Sequence, residues 1–288
     1  MSNAVLTKSR SAAAPDRTEK HAERTDAAPV TPPPRDSRDD LVHAYVQQFD
    51  HLTRGYEALQ LVAQRQAAMD RFAELGFPTT KNEDWHFTSV APILERLYAP
   101  RHEVGTPTLN ASDIAEFQFE GEWQTLVFLN GRFVPMLSRI ESATNVYVGP
   151  MSEADSDDAR ARFIEQHTGQ YADTGNHAFT ALNTAFAGDG ALVHVAANTV
   201  APQKIHLMFV SDASADGALI SPRNMVVMEH HAEATVMESY VSIGAADYFT
   251  NAVTEVSVGE GARLRHYKIQ RESINARHVG SWYAHQAG

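Results

Sequence analysis

The chain has 288 residues, a net charge of −12 and no cysteine. It is long enough to bury a substantial core, too acidic for a nucleic-acid-binding surface, which needs a basic stripe, and without a thiol for a disulfide, a thiolate metal site or a cysteine nucleophile. No apolar run approaches the roughly 18 residues needed to span a bilayer, and the N-terminus combines the lack of an apolar signal core with acids (Asp16, Glu19, Glu23, Asp26) that transit peptides avoid, so a cytoplasmic location is expected.

Residues 1–38 are rich in Ala, Pro, Thr, Arg and Asp and include "PVTPPPR" (29–35). Such a stretch buries too little surface to offset its ordering entropy and is expected to be a disordered tail. A helical unit is expected over 39–100. Leu41, Val42, Tyr45, Val46 and Phe49 share one helical face, and Tyr56, Leu59, Val62, Met69, Phe72 and Leu75 mark a second helix from about Thr53 to Leu75. Gly76 stands where a helix C′ residue belongs and Pro78 blocks continuation. "PTTKNEDWHFTSV" (78–90) then reads as punctuation. Thr80 to Glu83 has the capping-box form, and Asp84 suits a helix N-terminus. Trp85, Phe87 and Val90 are expected to pin the segment to a core, and Pro92 to end it. Glu83, Asp84 and His86 are accordingly read as structural.

Over 101–175, a mixed strand and helix region, the apolar period changes to two. "TLVFLNGRFVP" (125–135) predicts a hairpin around Asn130-Gly131, the type I′ turn pair. "NVYVG" (145–149) predicts a strand, and the acidic stretch 151–170 a partial helix with a solvated charged face. The last span, 176–288, is expected to be strand after strand from Ala181 on: "GALVHVAANTV", "QKIHLMFVS", "RNMVVMEHHAEATVMESYV" and "NAVTEVSVGEGARLRHYKIQ". Val226, Met228 and Ala232 match Val256, Val258 and Ala262 at an offset of 30. Short recurring strands with small residues at the bends point to stacked β-coils. A sandwich or a barrel gives a similar signal. No βαβ alternation is present, which disfavours a doubly wound sheet.

The fourteen histidines do not form a metal motif: His230-His231 would face opposite ways in a strand, and there is no His-x-His. His266, Lys268 and Gln270 share a strand face with Leu264. If that face points into a coil, three polar groups are buried and need partners; the default is a solvent-facing row. Glu238 and Tyr240 share a face with Val236 in the preceding coil and pose the same question. "GDGA" (188–191) and "GEGA" (259–262) lack the downstream Lys-Ser/Thr of a phosphate loop and read as tight turns. No Gly-x-Ser-x-Gly elbow and no Ser/His/Asp arrangement argues for an enzyme. The enzymatic alternative is a β-helix protein acting on carbohydrate, which would need Glu229, Glu238 and Glu255 to cluster on one face.

"FPTTKNEDWHFTSVAPIL" (77–94), "ALNTAFAGDGALVHV" (181–195), "KIHLMFVS" (204–211), "SPRNMVVMEHHAEATVMESYVS" (221–242), "YFTNAVTEVSVGEGARLRHYKIQRES" (248–273) and "WYAHQA" (282–287), in this order, resemble the SufD branch of the SufB/SufD family. These are scaffold subunits of the Suf iron–sulfur cluster assembly machinery. The resemblance runs from about residue 45 to the end. It implies a mainly β protein: a right-handed β-helix preceded by a small N-terminal helical unit. It further implies a non-catalytic subunit that pairs with a SufB-like subunit and, through a C-terminal helical region, with a SufC-like ATPase. An iron–sulfur cluster is built transiently on such a complex, and a flavin has been associated with it. The family continues past Gly288 with more coils, a Cys/His-containing segment and terminal helices, so no cluster ligand is carried over and catalytic and metal residues are expected to be none. The polar row His266, Lys268 and Gln270 maps to a β-helix strand and is the only candidate for cofactor contact.

Overall fold

The computed structural model describes residues 35–55, 62–100, 109–156 and 158–287. Residues 1–34 of the expected tail, and Tyr56 and Leu59 of the second helix, lie outside the described residues, while residues 35–38 of that tail are helical. Helix α1 (Arg35–Gly55) starts four residues before Asp39, and α2 (Val62–Leu75) carries Met69 and Phe72 on its buried side. They pack with a later helix, α4 (Ala178–Phe186), through Tyr45, Phe49, Phe72, Phe77, Phe179 and Phe186, whose rings meet edge-on or tilted at about 5–6 Å. Every residue of the nine-residue α4 is buried, the polar face of Thr180, Asn183 and Thr184 included. The helix takes the place of the strand expected from Ala181, which begins only at Ala191.

The 78–90 segment is punctuation, but not by the expected devices. The short 3₁₀ turn Glu83–Trp85 follows Asn82, and no side chain caps it. Asn82 Oδ1 instead accepts from the backbone N–H (2.8 Å) and hydroxyl (3.2 Å) of Thr79. Trp85 packs on Phe179 at 5.1 Å and Val90 is buried. Phe87 is 96% exposed and pins nothing. Pro92 does not end the turn; it sits in the first turn of a second 3₁₀ helix, Ala91–Glu95. Because Phe87 has no buried surface to lose, Phe87→Ser is expected to change stability by no more than about 0.5 kcal/mol in a thermal melt.

Among the described residues twelve strands follow: β1 (Ala99–Pro100), β2 (Trp123–Leu129), β3 (Arg132–Phe133), β4 (Val146–Pro150), β5 (Ala191–Val195), β6 (Lys204–Ser211), β7 (Ala218–Ile220), β8 (Arg223–Met228), β9 (Glu233–Ser242), β10 (Phe249–Val258), β11 (Arg263–Arg271) and β12 (Arg277–Gln286). α3 (Asp158–His167) lies in the acidic stretch. Strands β2 and β3 form the predicted hairpin, with Asn130 (φ 49°) and Gly131 (φ 82°) both left-handed as a type I′ turn requires.

The other pairings build a β-solenoid of about three turns. One sheet stacks β5, β8, β10 and β12 in parallel, with β7 continuing the β8 layer and β4 antiparallel at its margin. The other stacks β2, β6, β9 and β11 in parallel. The offset of 30 seen in the sequence is the coil length here: Val226 pairs with Val256 and Met228 with Val258. Parallel ladders in two facing sheets rule out an antiparallel sandwich or closed up-and-down barrel. The corners after β5, β8 and β10 each take a left-handed residue: Asn198 (φ 57°), His231 (φ 56°) and Gly261 (φ 67°). His231 is therefore a corner residue and not a strand residue as assumed for the His230-His231 pair.

Leu126, Phe128, Val193, Leu207, Phe209, Val226 and Val256 fill the lumen between the two sheets. Outward-facing residues are covered in part by the helices. Phe249 packs under α4, and Leu192, Met225 and Val227 pack against Ile164 of α3. Among the described residues no helix is long and apolar enough to cross a membrane.

Candidate functional site

Strand register fixes the side-chain columns inside the solenoid, and these columns change character along the stack. Leu126, Leu207, Glu238 and Lys268 form one column; Phe128, Phe209, Tyr240 and Gln270 form the next; Gln124, Ile205, Val236 and His266 form a third. The aromatic column is stacked, with Phe128 to Phe209 and Phe209 to Tyr240 both at 4.8 Å. On the facing sheet Asn224 leads to Thr254 and Trp282, and Thr250 to His278. Apart from Gln124 the first coils are thus apolar in these columns, and β8 to β12 carry polar side chains above Leu207 and Phe209. The row His266, Lys268 and Gln270 continues these lumen columns, with His266 half-buried and Lys268 and Gln270 exposed, as the default had it for those two.

Two carboxylates organise these polar side chains. Glu238, 2% exposed, accepts from Asn224 Nδ2 (3.1 Å), from the Thr254 hydroxyl and from the Tyr240 hydroxyl (3.5 Å); His266 Nε2 stands 3.7 Å from its Oε1, beyond hydrogen-bonding distance. Glu272, just past β11, accepts from Thr250 Oγ1 (3.0 Å), Tyr248 OH (3.2 Å) and Gln270 Nε2 (3.1 Å), and its Oε2 lies 2.7 Å from His278 Nδ1. The other nitrogen of that ring, Nε2, is 2.8 Å from Lys268 Nζ. Lys268 Nζ also lies 4.9 Å over the Tyr240 ring, a cation–π distance. Gly280 makes room for it: a Cβ there would come within 2.1 Å of Nζ.

Burial pushes the Glu238 carboxyl up, but His266, Thr254 and Lys268 more than offset this and hold it below the usual carboxylate range. Glu272 follows the same logic, with His278, Gln270 and Thr250 outweighing burial. Lys268 is pulled below the ordinary lysine range by burial, against the attraction of Glu238 and Glu272. Burial also raises both tyrosines, Tyr240 well above its ordinary value and Tyr248 to about 12. At neutral pH the lumen therefore holds two carboxylates and two phenolic donors.

The expected row of His266, Lys268 and Gln270 is brought together with residues that its own strand does not contain. Glu272, His278, Asn224, Thr250 and Thr254 were missed. The alternating His278, Gly280 and Trp282 of β12 was the one local signal, and only the coil register shows that it faces Lys268. The three acids that a carbohydrate-acting enzyme would need are dispersed. Glu238 is in the lumen, Glu255 is on the outer face bonded to Arg223 (2.6 Å), and Glu229 is at a corner 2.8 Å from His194. Among the described residues no group of three or more His, Asp or Glu is arranged to hold a metal ion.

Fold and lumen define a β-solenoid protein with two-sheet coils, a helical N-terminal unit and a polar interior in its later turns. Two protein families match in succession: the SufBD protein N-terminal region over residues 35–207 and the SufBD core domain of the SUF iron–sulfur cluster assembly system over residues 209–288. The chain belongs to the SufBD family. It is 31% identical over 241 residues to the iron–sulfur cluster assembly SufBD family protein slr0076 of Synechocystis (80% of this chain, 52% of the relative). It is 24% identical over 235 residues to the iron–sulfur cluster assembly protein SufD of Escherichia coli (81% and 51%) and 26% identical over 230 residues to the chloroplastic protein ABCI7 of Arabidopsis thaliana (77% and 46%). The chain spans about half the length of the curated relatives it matches.

Proposed function

We propose that the chain is part of a SufD-type, non-catalytic scaffold subunit that works in the cytoplasm in iron–sulfur cluster assembly, paired with a SufB-like subunit and served by a SufC-like ATPase. The observation that carries this reading is the pair of consecutive family matches, which together take in residues 35–207 and 209–288. The likeness to a relative named SufD favours that branch. The geometry supports a scaffold over an enzyme: the outer faces of the sheets are used for packing α3 and α4, and the acids are separated on different faces. The iron–sulfur cluster is the cargo of the assembly, and neither it nor a flavin is assigned to a residue here.

Affinity-tagged full-length protein, purified from its own cells, is expected to bring down a SufB-like subunit and a SufC-like ATPase in stoichiometric amounts. Recovery of neither, by mass spectrometry of the eluate, would overturn the proposal.

A further inference from the structure

The outer face of the second sheet is covered over β2, β6 and part of β9 and open over β11. Ile114, Phe117 and Leu137 pack on Val127, Met208 and Val241, and the Phe119 ring lies 4.7 Å from His206. From β11 the side chains of Arg263, Arg265, Tyr267, Ile269 and Arg271 point outward, alternating with the lumen row of His266, Lys268 and Gln270. All five but Ile269 are exposed, Tyr267 at 52%. In a chain of net charge −12 this face gathers cations. Lys204 adds a fourth, because it shares an outward column with Thr235 and Arg265. Among the described residues the face holds one ion pair, Arg263 to Glu233 at 3.5 Å, with the Arg263 side chain 72% exposed; Arg265 and Arg271 have no carboxylate partner. Arginine and tyrosine are the side chains that concentrate at protein interfaces, and a guanidinium takes a carboxylate through two parallel bonds.

We propose that the outer face of β11 docks an extended acidic segment of a partner protein, with carboxylates on Arg263, Arg265 and Arg271 and apolar side chains on Tyr267 and Ile269. Alternate side chains of a strand stand about 6.6 Å apart, and an extended peptide repeats its own at nearly the same interval. The order along β11 therefore asks for acid, acid, apolar, apolar, acid at every second residue of the segment. Arg263 gives up little on binding, because its pair with Glu233 is long and exposed. A nucleic-acid strand fits the face less well. The protein's overall negative charge repels it, and Ile269 offers no ring for a base to stack on. The assignment goes beyond the scaffold reading and does not rest on it.

The test is fluorescence anisotropy of labelled probes with the full-length protein at low ionic strength. Glu-Ser-Glu-Ser-Leu-Ser-Leu-Ser-Glu and its reverse carry the pattern in the two chain directions. Leu-Ser-Glu-Ser-Glu-Ser-Glu-Ser-Leu has the same composition without it, and an oligothymidylate of similar length stands for nucleic acid. One of the two patterned peptides is expected to bind about fivefold or more tightly than the composition-matched one, the factor that a good exposed ion pair gives. Arg265→Glu combined with Arg271→Glu is expected to weaken that peptide about tenfold or more and to flatten its salt dependence. Tyr267→Ala is expected to remove the preference over the matched peptide. Equal binding of patterned and matched peptides by the unmodified protein overturns the proposal without needing any variant to fold. Tighter binding of the oligothymidylate than of either patterned peptide overturns it in favour of a nucleic-acid surface. A preference that survives intact in the folded double variant overturns the assigned face.

Discussion

Glu255→Ala is expected to destabilise the protein by about 3–5 kcal/mol, the range for removing one partner of a buried ion pair. Arg223 and Glu255 are 4% and 1% exposed. The guanidinium reaches Glu255 Oε1 through both Nε (3.1 Å) and Nη2 (2.6 Å), while its Nη1 donates to Asn183 and Thr184 of α4. The same carboxylate accepts the backbone N–H groups of Gly169, Tyr171 and Ala172 at 2.8–3.0 Å. Arg223 thus fastens α4 to the outside of the solenoid, and Glu255 holds both that guanidinium and a loop. Its loss leaves a buried cation uncompensated and three amides without an acceptor. The double change Arg223→Met with Glu255→Leu is expected to recover part of the loss but not all, because the three amides remain unpaired. The carboxyl is raised by burial but lowered further by Arg223 and the three amides, so its folded pKa lies below the unfolded value. The stabilisation it provides is therefore complete above the unfolded pKa of about 4.3, and it is lost as pH falls through the depressed folded value. Urea unfolding should show the difference between wild type and Glu255→Ala shrinking across that acid window. A midpoint unchanged at pH 7 would contradict the assignment.

Much of this fold is legible in local patterns. The apolar face of α1 (Leu41, Val42, Tyr45, Phe49), the Asn130-Gly131 hairpin and the 30-residue match of Val226 and Met228 with Val256 and Val258 each depend on a few adjacent positions. Helix α4 escaped because it is only nine residues long, too short for its polar face of Thr180, Asn183 and Thr184 to establish a helical period. Phe87 misled because an aromatic residue beside Trp85 reads as core, whereas the turn after Trp85 aims it at solvent. The site was half legible for a different reason. A period of two says that His266, Lys268 and Gln270 share a face but not which side that face takes. Its direction is set by stacking on β9, where Val236, Glu238 and Tyr240 already point inward. Likewise His278 meets Lys268 only because one coil brings β12 across the lumen from β11. The balance of charge inside that lumen belongs to several strands at once, so no single stretch of sequence carries it.

Gly190→Ala is expected to prevent folding, although Gly188→Ala in the same "GDGA" turn is expected to be near neutral. Gly190 is buried where the start of β5 meets β8. A Cβ there would lie 1.8 Å from the carbonyl oxygen, 2.5 Å from the carbonyl carbon and 2.9 Å from the nitrogen of Arg223. All three are backbone atoms, so no rotamer change relieves the clash; the strands must separate. Separation would strain the bond from Arg223 N–H to the Asp189 carbonyl (3.2 Å), the bond from Ala191 N–H to Asn224 Oδ1 (3.0 Å) and the ladder from Leu192 to Met225 onward. Ordinary overpacking costs about 1–3 kcal/mol where side chains can shift, and here a rigid backbone displaces that limit upward. At Gly188 the nearest atom to a Cβ is the Gly131 carbonyl oxygen at 3.9 Å, an ordinary contact. The two glycines look alike in the sequence and read equally as turn formers. Gly190 serves instead as a gap through which one coil of the solenoid approaches the next. Soluble yield and the circular dichroism of the two variants separate these roles: a folded Gly190→Ala protein, or loss of fold in both, would mean that the contact between β5 and β8 is not as close as described.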